Sequence, residues 1–116
     1  MELTIEEKNK AEVIIETLIL ARKPISYSDL ASHLSLSGAQ KINRIVNWLE
    51  EITWQDMKDN KPLRASMVFS KRTPGLPAPG FFNYCTKIGV FNWKMDSENA
   101  RIFIKSQQLA LYSLYD

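Results

Sequence analysis

Apolar residues recur at helical spacing along most of this chain and alternate with polar ones over one stretch. Residues 25–51, ISYSDLASHLSLSGAQKINRIVNWLEE, predict a helix-turn-helix around which the other segments are arranged. Ser26 and Asp29 have capping-box spacing, in which a hydroxyl and a carboxylate satisfy the backbone N–H groups that open a helix. The short helix that follows places Leu30, Ala31 and Leu34 on one face. Ser35, Leu36, Ser37 and Gly38 break it, and Ser37 with Gln40 repeats the capping signal. In the longer helix beyond, Ile42, Ile45, Val46, Leu49 and Ile52 form an apolar back at i, i+3, i+4, i+7 and i+10. Gln40, Asn43, Arg44 and Asn47 form its front. The pattern continues through Trp54 and Met57, as one helix or as two joined near Thr53, until Pro62 ends it.

Before this unit, Thr4 and Glu7 predict a capping box with a helix from Ile5, buried through Ala11, Ile14, Ile15, Leu18 and Ile19. It stops near Arg22 and Lys23, ahead of Pro24. After it, residues 63–70 alternate as a strand, with Leu63, Ala65, Met67 and Phe69 on one side and Val68 as the exception. Residues 71–80, with three prolines and two glycines behind Lys71 and Arg72, predict a stiff excursion of the kind a wing requires. No second long strand follows, so this wing is predicted as a loop rather than a ribbon. Phe81 and Phe82 anchor it to the core, and Phe82, Cys85 and Ile88 share a face of a short helix ending at Gly89. Val90 to Trp93 form an aromatic linker. A last helix starts near Asp96 or Ser97 and is crowded with Ile102, Phe103, Ile104, Leu109, Ala110, Leu111, Tyr112, Leu114 and Tyr115, more apolar surface than one stripe needs. The expected fold is mainly α with a small β element, an α+β winged helix-turn-helix with extra N- and C-terminal helices, in one domain over residues 1–116.

Length agrees with one core, since 116 residues are too few for two. The single cysteine, Cys85, excludes an internal disulfide framework or a cysteine-cluster zinc site and is compatible with a reducing cytoplasm. No apolar run reaches membrane-spanning length, and the N-terminus lacks a signal-peptide layout, so a membrane is not expected as a partner. Net charge is only +2, but it is unevenly spread. Residues 1–20 hold five glutamates against Lys8 and Lys10, a net of −3. Residues 60–95 hold Lys61, Arg64, Lys71, Arg72, Lys87 and Lys94 with no acid, a net of +6. A one-sided basic surface suits a polyanion, although lysines scattered over a solvated surface give the same count.

Amide and guanidinium groups on the front of a second helix are the groups that read base edges and grip phosphates. Asn43, Arg44 and Asn47 are therefore the candidates for a DNA groove, with Gln40 and Lys41 at the helix N-terminus, Lys71 and Arg72 beside the wing, and Tyr27 either packing or touching a sugar-phosphate. Most amphipathic helices carry such a polar face merely because it meets solvent. His33 has no second histidine or cysteine nearby, Asp56 and Asp59 near a helix end are expected to be solvated, and Ser66 and Ser70 have no base partner. No catalytic group, metal site or cofactor site is assembled. Trp48, Trp54 and Trp93 suit core or subunit contacts better than base stacking.

The order Lys23-Pro24-Ile25-Ser26-Tyr27-Ser28-Asp29-Leu30-Ala31, then a Gly-led helix with Arg44, then an apolar strand and a Pro/Gly loop, resembles the DNA-binding half of alkylguanine-DNA alkyltransferases and alkyltransferase-like proteins over about residues 23–82. The resemblance implies that Tyr27 assists extrusion of a nucleotide and that Arg44 takes the extruded base's place in the stack. It departs at the chemistry. Where the alkyltransferases carry Pro-Cys-His-Arg before two valines, this chain has Arg64-Ala65-Ser66-Met67 before Val68-Phe69. Without a thiolate acceptor no alkyl transfer is expected, as in the alkyltransferase-like proteins, which bind DNA without it. The run from Pro62 to Thr73, with Gly75-Leu76-Pro77 and Gly80-Phe81-Phe82, also resembles a widespread group of small bacterial and phage proteins that is poorly characterised. The expected function is non-catalytic binding of double-stranded DNA. The alternative is a small phage or mobile-element interaction module that docks on a host nuclease, defence complex or regulator. A protein partner or homodimer would then use the C-terminal helix.

Overall fold

The Thr4 hydroxyl accepts the Glu7 N–H and the Glu7 carboxylate accepts the Thr4 N–H, at 3.1 and 2.8 Å, so the first helix, α1 (Ile5–Ala21), opens on a complete capping box. A computed structural model describes residues 2–73, 75–92 and 96–116. Ala11, Ile15 and Ile19 face the core from α1, with Ile14 and Leu18 half-buried beside them. Arg22 closes the helix in the left-handed conformation (φ 57°), as a terminating residue does. Its guanidinium pairs with Asp116 at 2.9 Å and lies 5.4 Å over the Tyr112 ring, tying the ends of the first and last helices together.

Strand β1 (Ile25–Ser26) leads into α2 (Tyr27–His33), with Ser26 as the N-cap accepting the Asp29 N–H at 3.1 Å. The helix α3 (Lys41–Lys58) is continuous through Thr53 and buries Ile45, Trp48, Leu49, Ile52, Thr53 and Asp56. It begins three residues later than the Ser37–Gln40 signal predicts: Gln40 is the N-cap, and its side chain bonds Asn43 instead of capping the helix.

The largest departure from expectation lies in residues 63–70. In place of a long alternating strand there is a 3-10 turn (Arg64–Met67) and a two-residue strand, β2 (Val68–Phe69). Leu63, Ala65, Ser66, Met67 and Val68 are all buried, because this segment packs against α1, α3 and the last helix, α5 (Ser97–Tyr115), which leaves little solvent face on which polar residues could alternate. The Ser66 hydroxyl turns back onto the Leu63 carbonyl at 2.7 Å, and Gln107 and Gln108 of α5 bond the Leu63 N–H and the Ser66 carbonyl, so the backbone groups a strand would pair are satisfied locally and by α5. β2 pairs with β1 in parallel, Ile25 opposite Val68 and Ser26 opposite Phe69. The fold is thus mostly helical with a small two-stranded parallel sheet, and no hairpin wing is found among the described residues.

The loop after β2 closes on itself through the Ser70 N–H and the Leu76 carbonyl at 2.8 Å. It then enters α4 (Pro79–Lys87), which starts earlier than Phe82, Cys85 and Ile88 alone suggest because Pro79 suits a first helical turn. Phe82, Phe91 and Phe103 meet edge to face and join α4 to α5 (Ser97–Tyr115), which is capped by Asp96. Trp93 and Lys94 lie outside the described residues, as does part of the predicted aromatic linker.

Candidate nucleic-acid interface

The parallel pairing of β1 with β2 brings the start of α2 beside the root of the loop. Tyr27 is buried there, and its phenol oxygen accepts the Ala78 N–H at 3.1 Å. Burial raises the Tyr27 pKa, and the hydrogen bond from Ala78 opposes that shift. Tyr27 therefore packs and holds the returning end of the loop against α2. An open groove of about 510 Å3 runs alongside. Ile42 and Val46 of α3 contribute an apolar wall, and Lys71 and Arg72 stand on the loop side with Ser70 and Thr73. Both cations are exposed. Lys71 lies 3.6 Å from Asp29 across two solvent-exposed side chains, which makes the attraction weak.

Arg44 is placed differently from the sequence expectation. Its side chain is 21% exposed and forms an ion pair with Glu7, while its Nε donates to the Glu2 carbonyl at 3.3 Å. It is fastened to the start of α1. The reason is visible one turn on: Trp48 is buried, so the buried arc of α3 is wider than the Ile/Leu stripe, and Arg44 sits at its edge beside α1. Gln40, Asn43 and Asn47 are exposed, with the Asn43 amide donating to Gln40 at 2.7 Å, and Lys41 is half-exposed at the first position of the helix. Glu50 follows Asn43 and Asn47 at helical spacing, so the front of α3 changes from amide to acid about two turns in.

The basic segment is thinner in space than in sequence. Arg64 is drawn inward between Asp56, 3.1 Å away with a side chain 4% exposed, and Glu12, also at 3.1 Å. The Arg64 N–H also bonds Asp56 at 3.0 Å. Burial lowers the Arg64 pKa, but the two carboxylates outweigh it and leave the guanidinium above its ordinary value. Asp56 is therefore a buried structural acid, not the solvated one expected. Its position gave a signal, since it continues the Leu49–Ile52 stripe of α3 where an acid requires a partner.

No family model, curated protein or solved structure matches the chain.

Cys85 is buried and its thiol is pushed up to about 12, first by burial and then by the Glu50 charge, the opposite of an activated nucleophile. The Arg64–Met67 segment, where the alkyltransferase pattern puts its cysteine, is largely buried, and the Ser66 hydroxyl is used by Leu63. His33 is exposed at the end of α2. Among the described residues no group of three or more metal-ligating side chains converges, and no helix is long and apolar enough to cross a membrane.

Proposed function

We propose that the protein binds double-stranded DNA without catalysing a reaction, through the N-terminal end of α3 and the cationic root of the loop. The observation that supports this reading is the groove that Lys71 and Arg72 line together with Ile42 and Val46. Two exposed cations beside exposed amides suit phosphate and groove contacts, and an apolar wall suits sugar or base. Lys41, Gln40, Asn43 and Asn47 extend the same contact onto α3. Arg44 has no part in it, because Glu7 holds it. Glu50 opposes a long lie of α3 in a groove, so DNA meets the end of the helix rather than its length. In this reading the chain is alkyltransferase-like in its binding half and carries no alkyl acceptor.

The test is an anisotropy titration with a fluorescent duplex at rising salt. Binding at low salt that weakens steeply with ionic strength is expected. Absence of duplex binding at low salt removes the proposal.

A second reading, an interaction module serving a phage or mobile element, is favoured by the exposed Ile102 and Leu109 on α5. Co-purification of a stoichiometric protein partner in the absence of DNA would favour it.

A further inference from the structure

The outer face of α5 and the loop at Gly75 and Leu76 enclose an open groove of about 530 Å3. Ile102 and Leu109 lie along it and are 61% and 53% exposed. They are two helical turns apart, roughly 10 Å along the axis. Arg101 and Lys105 flank them, and among the described residues that line this groove there is no acid. Apolar anchors two turns apart between cations complement a helix that carries apolar residues on one stripe and carboxylates along its edges.

We propose that this groove docks an acidic amphipathic helix of another protein. A second copy of the chain fits the charges less well. Two α5 helices packed antiparallel about their midpoint bring Lys105 against its own counterpart, and parallel packing opposes every cation to itself. The acidic α1 of a second copy, with Ile5, Val13 and Leu20 exposed, would pair head to tail, a contact that builds rings or filaments in place of a closed dimer. The inference is independent of the DNA reading, with which it shares only the loop.

The probe is a fluorescein-labelled synthetic helix of roughly 18 residues, with leucines at i, i+4, i+7 and i+11 and glutamates beside them. The comparison is the same peptide with lysine for every glutamate, and the full-length chain is titrated into each. The acidic peptide is expected to bind with a Kd on the order of 10 µM and the lysine peptide at least about tenfold more weakly. Ile102→Ser with Leu109→Ser, and separately Arg101→Glu with Lys105→Glu, are expected to weaken the acidic peptide about tenfold. These side chains are exposed, so circular dichroism should stay unchanged. Lys87→Glu, at an exposed lysine that lines neither groove, should leave the affinity as it is, which separates this groove from general charge attraction. Equal affinity for both peptides, no binding near 1 mM, indifference to the α5 variants, or an equal loss with Lys87→Glu would each overturn the proposal. So would self-association in sedimentation that Ile102→Ser with Leu109→Ser abolishes, because it would assign the face to a second copy.

Discussion

One oxygen of Glu7 accepts both the Thr4 N–H and a guanidinium N–H of Arg44, so the residue that caps α1 also captures the arginine of α3. The Arg44 Nε reaches the Glu2 carbonyl as well. A guanidinium held by a carboxylate and a carbonyl at a half-buried junction gives up those partners only at a cost, and a phosphate would have to replace them. The pair makes Arg44 a fastening between the two helices.

Replacing Arg44 with alanine should therefore lower stability by about 1 kcal/mol while leaving duplex affinity within roughly twofold of the parent. Urea denaturation and the anisotropy titration, run on the same variant, measure the two effects separately. A large loss of affinity at unchanged stability would return Arg44 to the DNA face.

Charge reversal at Lys71 and Arg72 should do the opposite. Both side chains are exposed, so the melting temperature should hold. Each phosphate contact removed lowers the salt slope of binding by about 1. A double variant with parental affinity and slope would clear the loop of any role in binding DNA.

Asp56 and Arg64 predict a stability phenotype with no binding phenotype. Asp56→Ala leaves a guanidinium that is 14% exposed without the more buried of its two carboxylates, and a loss of about 3 kcal/mol is expected in urea denaturation. Adding Arg64→Met should recover part of it, since the double variant leaves no buried unmatched charge and Glu12, 42% exposed, returns to solvent. A double variant less stable than Asp56→Ala would mean that Arg64 is held chiefly by Glu12.

Stability should fall on the alkaline side. Burial raises Cys85 from 9.0 to about 12 and raises Tyr27 above 10.0, so the folded chain keeps these protons while the unfolded chain loses them. The stability they contribute is complete below the unfolded values and is lost as pH climbs through the folded ones. Denaturation midpoints should decline from about pH 9 upward, with a shallower decline in Cys85→Ala. Ellman's reagent at pH 8 should leave the native thiol unmodified and react once urea is added. Rapid labelling of the native chain would show that the thiol is reachable without unfolding.

Several elements were legible in the residues alone because their determinants are local. The Thr4–Glu7 box, the Ser26 cap, the α5 start at Asp96 and the short helix before Gly89 all depend on neighbours within a turn. Other features were not legible because their causes lie far off in the chain. Alternation predicted a strand at residues 63–70, but burial on every side and glutamines from α5 produced a 3-10 turn and two strand residues. Ile42 and Val46 read as core; both are half-buried, Ile42 packs against the core, and both also line the groove, which the stripe by itself does not show. Tyr27 carried a likeness to a nucleotide-extruding residue, and it accepts a hydrogen bond from a residue 51 positions later.

Helical periodicity and capping chemistry fixed most of the helices, since a helix satisfies its backbone within itself. The placement of charge was decided only in three dimensions. Arg44 and Arg64 count as two of the chain's cations in any sequence tally, yet acids on α1 and α3 hold both. An ion pair forms between whichever opposite charges packing brings together, and helix packing joins residues that no local pattern relates.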